Sequence, residues 1–263
     1  MNYDPKRHNY INKDIEYITS SNIKEYDIKS AGFNMLISAN ALSNSQIEKL
    51  SKMNKEKRNK KIGIMQRNNK EITKIINSQL EYYRAKFIQE NNLEDRNIIS
   101  VKKDAFFLLN AKIKYDTFDN VVFRKKNKYS SYYRMNNLEF YFSKYKDQLD
   151  IKGIGNLVNK KDDVTNSHLH EDYMIKFLKK IFSLNEVSNK SACLYLKEFA
   201  DKYRKGKLDL GYYRELNSDS KYRIKDYKLG SANLALDYVD SIKDINISYN
   251  YMNVILELVR LIY

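Results

Sequence analysis

The spacing of apolar residues shifts along this chain from period two to a helical period and back, and the order of those shifts narrows the fold to one class. Glu25-Tyr26-Asp27-Ile28-Lys29-Ser30 alternates polar and apolar residues, the mark of a short strand. Gly32 closes it, and Met35, Leu36, Ala39 and Leu42 follow at helical spacing. Ser43 with Gln46 three positions on reads as a capping box, opening a helix that turns Ile47, Leu50 and Met53 inward. A second helix is predicted over about 69–91, with Ile72, Ile75, Ile76, Leu80, Tyr83 and Phe87 on one face. Ile98 to Leu109 holds two apolar runs around a charged tip, Lys102-Lys103-Asp104, and reads as a buried β-hairpin.

Strand character then persists through Val121-Val122-Phe123, Tyr129 to Arg134, Leu138 to Phe142 and Leu149 to Ile154. Beyond about Asn166 helical stripes return: Met174, Phe177, Leu178 and Ile181; then Leu194, Leu196, Phe199 and Tyr203; and a terminal segment with Val254, Ile255, Leu258 and Ile262. Antiparallel strands segregated from helices in this way make an α+β fold. Pro5 is the one proline among seven glycines, so no flexible linker stands out. The expected organisation is a polar lead-in over 1–24, an α+β domain over 25–163 with a basic helical insertion at 44–68, and a mostly helical region over 164–263.

Lys and Arg number 48 against 33 Asp and Glu, a formal charge of +15. So large an excess repels itself in a compact state and points to an anionic partner, nucleic acid first. AT-rich coding would also enrich Lys, Asn, Ile and the 23 Tyr, so the charge alone does not decide. A lone cysteine, Cys193, excludes a disulfide framework and a cysteine-rich zinc site, and suits a reducing cytoplasm. Set among Ala192, Leu194 and Leu196, it reads as a small buried hydrophobe. The N-terminus lacks the apolar core of a signal peptide, and no apolar run reaches the roughly 18 residues of a membrane span. A soluble cytoplasmic protein is expected.

Nucleotidyl transfer places two Mg²⁺ ions about 3.5–4 Å apart and needs few protein ligands, chiefly carboxylates on rigid elements. Asp27 at a strand end and Asp104 at a hairpin tip, about 77 positions apart, are the candidate metal ligands and catalytic residues. The alternative makes Asp27 a turn cap and Asp104 a solvated hairpin residue. Arg58, Lys61, Gly63, Gln66 and Arg67 form a basic stretch able to bind a triphosphate, or simply a solvated helix face. Tyr129, Tyr132, Tyr133 and Arg134, and later Tyr212, Tyr213 and Arg214, interleave rings with positive charge, as in strand-binding surfaces where bases stack. Tyrosines as plain strand formers explain the same pattern. His168-Leu169-His170-Glu171-Asp172 is explained more cheaply as the acidic first turn of a helix than as a metal site.

Several of these segments resemble the palm of family B DNA polymerases. Tyr26-Asp27-Ile28-Lys29-Ser30 is similar to the family's first palm motif, and Lys103-Asp104-Ala105-Phe106-Phe107 to the second half of its hairpin motif. Lys126-Asn127-Lys128-Tyr129 resembles the segment that holds the primer end, and Asp150-Ile151-Lys152-Gly153-Ile154 the strand after it. Lys160, Lys161 and Asp162 stand where the family leads into its thumb. The resemblance implies a small antiparallel palm-like sheet backed by helices, with a helical thumb-like C-terminal region. It implies Mg²⁺ or Mn²⁺ on Asp27 and Asp104, nucleoside triphosphates at Arg58, Lys61 and Arg67, and a primer–template or single-stranded DNA held by Lys126, Lys128, Tyr129, Arg134 and Lys152.

The departures matter as much. Lys102 replaces the first hairpin acid, Gly32 the residue that rejects a 2′-hydroxyl, and Asn127 a conserved lysine; the fingers signature is absent. The short stretch before Asp27 leaves no room for a proofreading exonuclease. Two further readings follow: a non-catalytic palm-derived module that binds nucleic acid or protein, and one part of a split polymerase with a second subunit. A phage or mobile element acting in a host cytoplasm fits the composition.

Overall fold

Two compact units make up the computed structural model, one formed by residues 1–14 with 22–128 and the other by 15–21 with 129–263. The structure describes residues 2–153, 167–205, 207, 208 and 258. Each unit pairs antiparallel strands with helices, so the α+β class is as expected.

In the first unit, the alternation that marks Glu25–Ser30 as a strand becomes β3 (Ile23–Ile28). It is preceded by β1 (Asn9–Ile11), while β2 (Tyr17–Ile18) lies between them in the chain and belongs to the second unit. The hairpin is β4 (Ile98–Lys102) and β5 (Ala105–Leu109), and β6 (Thr117–Phe118) leads into β7 (Val121–Tyr129). The six-stranded sheet runs β1-β4-β5-β3-β7-β6. Lys103, at φ 54°, turns the hairpin so that Lys102 faces Ala105 across it. The expected lead-in is therefore partly structural, since β1 pairs with β4 through Asn9–Lys102, Tyr10–Val101 and Ile11–Ser100.

The helices are α1 (Ala31–Ser38), α2 (Asn44–Ser51), α3 (Lys55–Asn68) and α4 (Lys70–Glu90). Ser43 Oγ accepts from the Gln46 amide at 3.3 Å while Gln46 Oε1 accepts from the Ser43 amide at 2.9 Å, completing the capping box. Asn54 and Asn69 cap α3 and α4 by accepting from the amides of Lys57 and Glu71, each at 2.9 Å. Helix α4 buries Ile76, Leu80, Tyr83 and Phe87, spaced i, i+4, i+7 and i+11 along one face. Phe87 is wholly buried, stacks on Phe123 at 4.2 Å and meets Phe106 at 5.3 Å and Tyr26 at 6.0 Å. Its burial contributes about 2–3 kcal/mol by transfer alone. One aromatic side chain thus clamps β3, β5 and β7 from below.

In the second unit, β2, β8 (Ser131–Met135), β9 (Leu138–Ser143) and β10 (Gln148–Lys152) form a sheet of order β10-β9-β8-β2. Tyr133, Leu138, Phe140 and Phe142 pack with Met174, Phe177, Leu178, Ile181 and Phe182 of α5 (Ser167–Val187) and Leu196 and Phe199 of α6 (Asn189–Arg204). Leu258 joins this core; Val254, Ile255 and Ile262 lie outside the described residues. On α6 the buried set is Ala192, Leu196 and Phe199 at i, i+4 and i+7, which rotates Leu194 into solvent and leaves Cys193 half-buried rather than in the core.

Candidate functional site

Strand register brings the two predicted aspartates to one end of the first sheet. Asp27 faces Ala105 across the β3–β5 ladder, and the Ile28 amide donates to the Asp104 carbonyl at 3.1 Å. Tyr26, Ile28, Phe106 and Phe123 point into the helix-packed core. Alternation therefore puts Glu25, Asp27, Ala105, Arg124 and Lys126 on the other face.

On that face the carboxylates already have cations. Arg124 holds Asp27 with Nη2 at 3.2 Å from Oδ1 and 3.3 Å from Oδ2, and with Nε at 3.3 Å from Oδ1. Lys126 Nζ lies 3.1 Å from Glu25 Oε1 and 3.9 Å from Asp27 Oδ2, and Asn127 donates to Glu25 Oε2 at 2.7 Å. Partial burial opposes the charge on Lys126, but the hydrogen bond from its ammonium to Glu25, with the charges of Glu25, Asp27 and Asp104, holds its pKa above the ordinary lysine value. Burial pushes the Asp104 carboxyl up; its own backbone N–H opposes this, Asp27 adds to it, and Lys126 and Lys103 offset it. Glu25, buried at 2 % exposure, is a member of this group that sequence reasoning missed. Its signal was present, because a residue two before Asp27 on a strand shares its face.

The backbone of the hairpin turn is held from both sides. Arg84 of α4, itself fully buried, donates through Nη1 to the Lys103 carbonyl at 3.0 Å, and the Lys103 amide donates to the His8 carbonyl at 2.6 Å.

A two-metal centre needs carboxylate oxygens open to hard cations. Among the described residues no three or more His, Cys, Asp or Glu side chains converge to hold a metal ion. The Arg124 fork engages both oxygens of Asp27. A metal would have to displace that guanidinium, so the donor set as it stands does not fit the expected pair of Mg²⁺ or Mn²⁺ ions.

Beside Asp27 lies a cavity of about 250 Å³ between the start of α1 and one face of α3. Ser30, Gly32, Lys55, Asn59, Gln66 and Arg124 line it. Lys55, Asn59, Ile62 and Gln66 share a face because they fall at i, i+4, i+7 and i+11. Of the expected basic stretch, Gln66 lines this cavity, while the three cations expected to bind nucleotide do not. Lys61 and Arg67 are exposed elsewhere on α3, and Arg58 instead braces the turn, donating to Ser30 Oγ at 2.8 Å with its guanidinium 5.1 Å over Phe33.

The predicted strand-contacting residues divide. Lys126 and Lys128 lie on β7 with Arg124 and the exposed Lys125. Tyr129 is 1 % exposed and donates through its hydroxyl to Asp150, while Tyr132 and Tyr133 are fully buried. These rings are sheet core and cannot stack on bases, which corrects that expectation. Arg134 is taken up structurally, donating from Nε to the Ile15 carbonyl at 3.2 Å and from Nη2 to Glu16 at 3.2 Å. Lys152 sits opposite Glu139 in the β9–β10 ladder. Ile154, Lys160, Lys161, Asp162, Tyr212, Tyr213 and Arg214 lie outside the described residues, as do the side chains of His168, His170, Glu171 and Asp172.

No helix among the described residues is long and apolar enough to cross a membrane. No curated protein matches the chain. The family model described as "Bacteriophage PBS1 gene 130 protein" matches residues 2–263, almost the full length, and the chain belongs to that family.

Proposed function

We propose that this protein is a palm-like nucleic-acid-binding module of a bacteriophage, acting in the host cytoplasm and holding a strand along β7 beside a pocket for phosphate groups. The observation that carries the reading is the concentration of Arg124, Lys125, Lys126 and Lys128 on one strand next to β3. On the Asp27 face, Arg124 and Lys126 with Lys102 and Lys103 of the hairpin outnumber Glu25, Asp27 and Asp104, and Lys125 and Lys128 extend the positive charge along the strand. The cavity lined by Lys55, Asn59, Gln66 and Arg124 suits the phosphates of a nucleotide or of a strand terminus. The binding role stands ahead of catalysis because Arg124 occupies Asp27.

The test is fluorescence anisotropy of a labelled single strand and a primer–template with the wild type and with Lys125→Glu/Lys128→Glu. Two charge reversals on β7 should weaken binding by at least tenfold at low salt. Equal affinity of the two proteins would remove β7 from the account.

A second reading is nucleotidyl transfer, alone or as one part of a split polymerase with a second subunit. It is favoured by the placement of Asp27, near the end of β3, beside the β4–β5 turn that carries Asp104. Extension of a primed template with Mg²⁺ or Mn²⁺, abolished by Asp104→Asn, would establish it; wild-type protein no more active than that variant would leave the binding role alone.

A further inference from the structure

One side chain serves two features of this face. Arg124 lines the cavity against α3 and also forks Asp27. Its side chain is half exposed while that of Asp27 is 14 % exposed, so the guanidinium's side of the pair is solvated and can turn outward. Asp27 would not be stranded by its departure, because Lys126 Nζ already lies 3.9 Å from the second carboxylate oxygen. The rest of the cavity wall carries no carboxylate: Lys55, Asn59, Gln66 and Ser30 offer cationic or hydrogen-bonding groups, and Ile28, Ala31, Gly32 and Ile62 complete it. A guanidinium matches the spacing of phosphate oxygens as well as it matches a carboxylate.

We propose that Arg124 is a shared counter-ion, released by Asp27 to grip an oligophosphate group entering the cavity, with Lys126 taking over Asp27. Asp27 is then a competitor for the arginine, and phosphate binding and the Arg124–Asp27 pair oppose each other. The proposal rests on the reading that the cavity takes phosphate groups, and its test separates the two.

Inorganic tripolyphosphate is titrated calorimetrically into the full chain at about 150 mM salt with EDTA present, conditions in which exposed charges beyond about 8 Å are screened. Wild type is compared with Asp27→Asn, Arg124→Gln and the double variant. Asp27→Asn should tighten binding on the order of threefold, the strength of a partly exposed ion pair. In the Arg124→Gln background the same change should do nothing, the non-additivity expected of two groups that compete directly. Equal tightening in both backgrounds would reduce the effect to general charge removal and overturn the proposal. Tripolyphosphate that binds the wild type and is weakened by Lys55→Ala, yet is indifferent to Asp27→Asn, would overturn it while leaving the cavity reading intact. No binding to the wild type would overturn both. The Arg124 Nε–H resonance of the unmutated protein gives an independent readout: it should shift on adding tripolyphosphate, and an unmoved signal at saturation contradicts the exchange.

Discussion

Replacing Phe87 tests whether one ring supports the whole candidate face. Phe87 is fully buried, and its contacts with Phe123, Phe106 and Tyr26 reach the strands that carry Arg124, Asp104 and Asp27. Truncating a buried Phe to Ala costs about 3–5 kcal/mol. The stack on Phe123 and the tilted contacts put this site toward the upper end, since such ring pairs add about 0.5–1.5 kcal/mol beyond area. With a urea slope of about 2 kcal/mol/M, the unfolding midpoint should fall by roughly 2 M. Phe87→Leu keeps most of the apolar volume and loses chiefly the ring contacts, so about 1–1.5 kcal/mol is expected. Urea denaturation followed by far-ultraviolet circular dichroism measures both variants. Amide exchange at Tyr26 and Phe106 assigns the loss to the first unit, because two units need not unfold together. A loss below about 1 kcal/mol for Phe87→Ala would refute the clamp. So would equal losses for the two substitutions.

Asp104 gives a pH-dependent expectation. Burial raises its carboxyl above the ordinary 3.8, so the folded state holds that proton more tightly than the unfolded chain. At pH below 3.8 both states are protonated and the site costs nothing; the cost appears as pH rises through the interval up to the raised value, and persists above it. Asp104→Asn should therefore be more stable than wild type at neutral pH, with the advantage fading as urea midpoints are measured down to pH 3.5; a constant or growing advantage in acid contradicts the burial argument. Ser43→Ala removes the acceptor of the Gln46 amide and should cost about 1 kcal/mol, read by the same urea titration, and no measurable loss would mean that the cap is idle.

Much of the first unit is legible in the sequence because its signals are strong and local. The hairpin declares itself through two apolar runs around Lys102-Lys103-Asp104, and α4 through apolar positions that hold one phase for three turns. The strands β1 and β2 were hidden because runs of three and two residues carry no period; their partners β4 and β8 select them. The face of α3 that lines the cavity is hard to read for a related reason. Ile62 is its one buried residue, so sequence sets the helical phase poorly and does not single out Lys55 and Asn59. Glu25 escaped notice because an acid at a buried strand position runs against average behaviour until Lys126 and Asn127 are seen to satisfy it. The tyrosines of β8 resemble a binding surface in sequence because β8 is buried on both faces over Ser131, Tyr132 and Tyr133, which erases the alternation that would mark them as core.

The measurement closest to the heart of the account is the salt dependence of single-strand binding. If Arg124, Lys125, Lys126 and Lys128 of β7 neutralise about four phosphates, log affinity should fall against log salt with a slope near −3, about a 50-fold loss between 50 and 200 mM. A slope near zero, or no binding at 50 mM, would contradict the claim that the cations of β7 serve a polyanion.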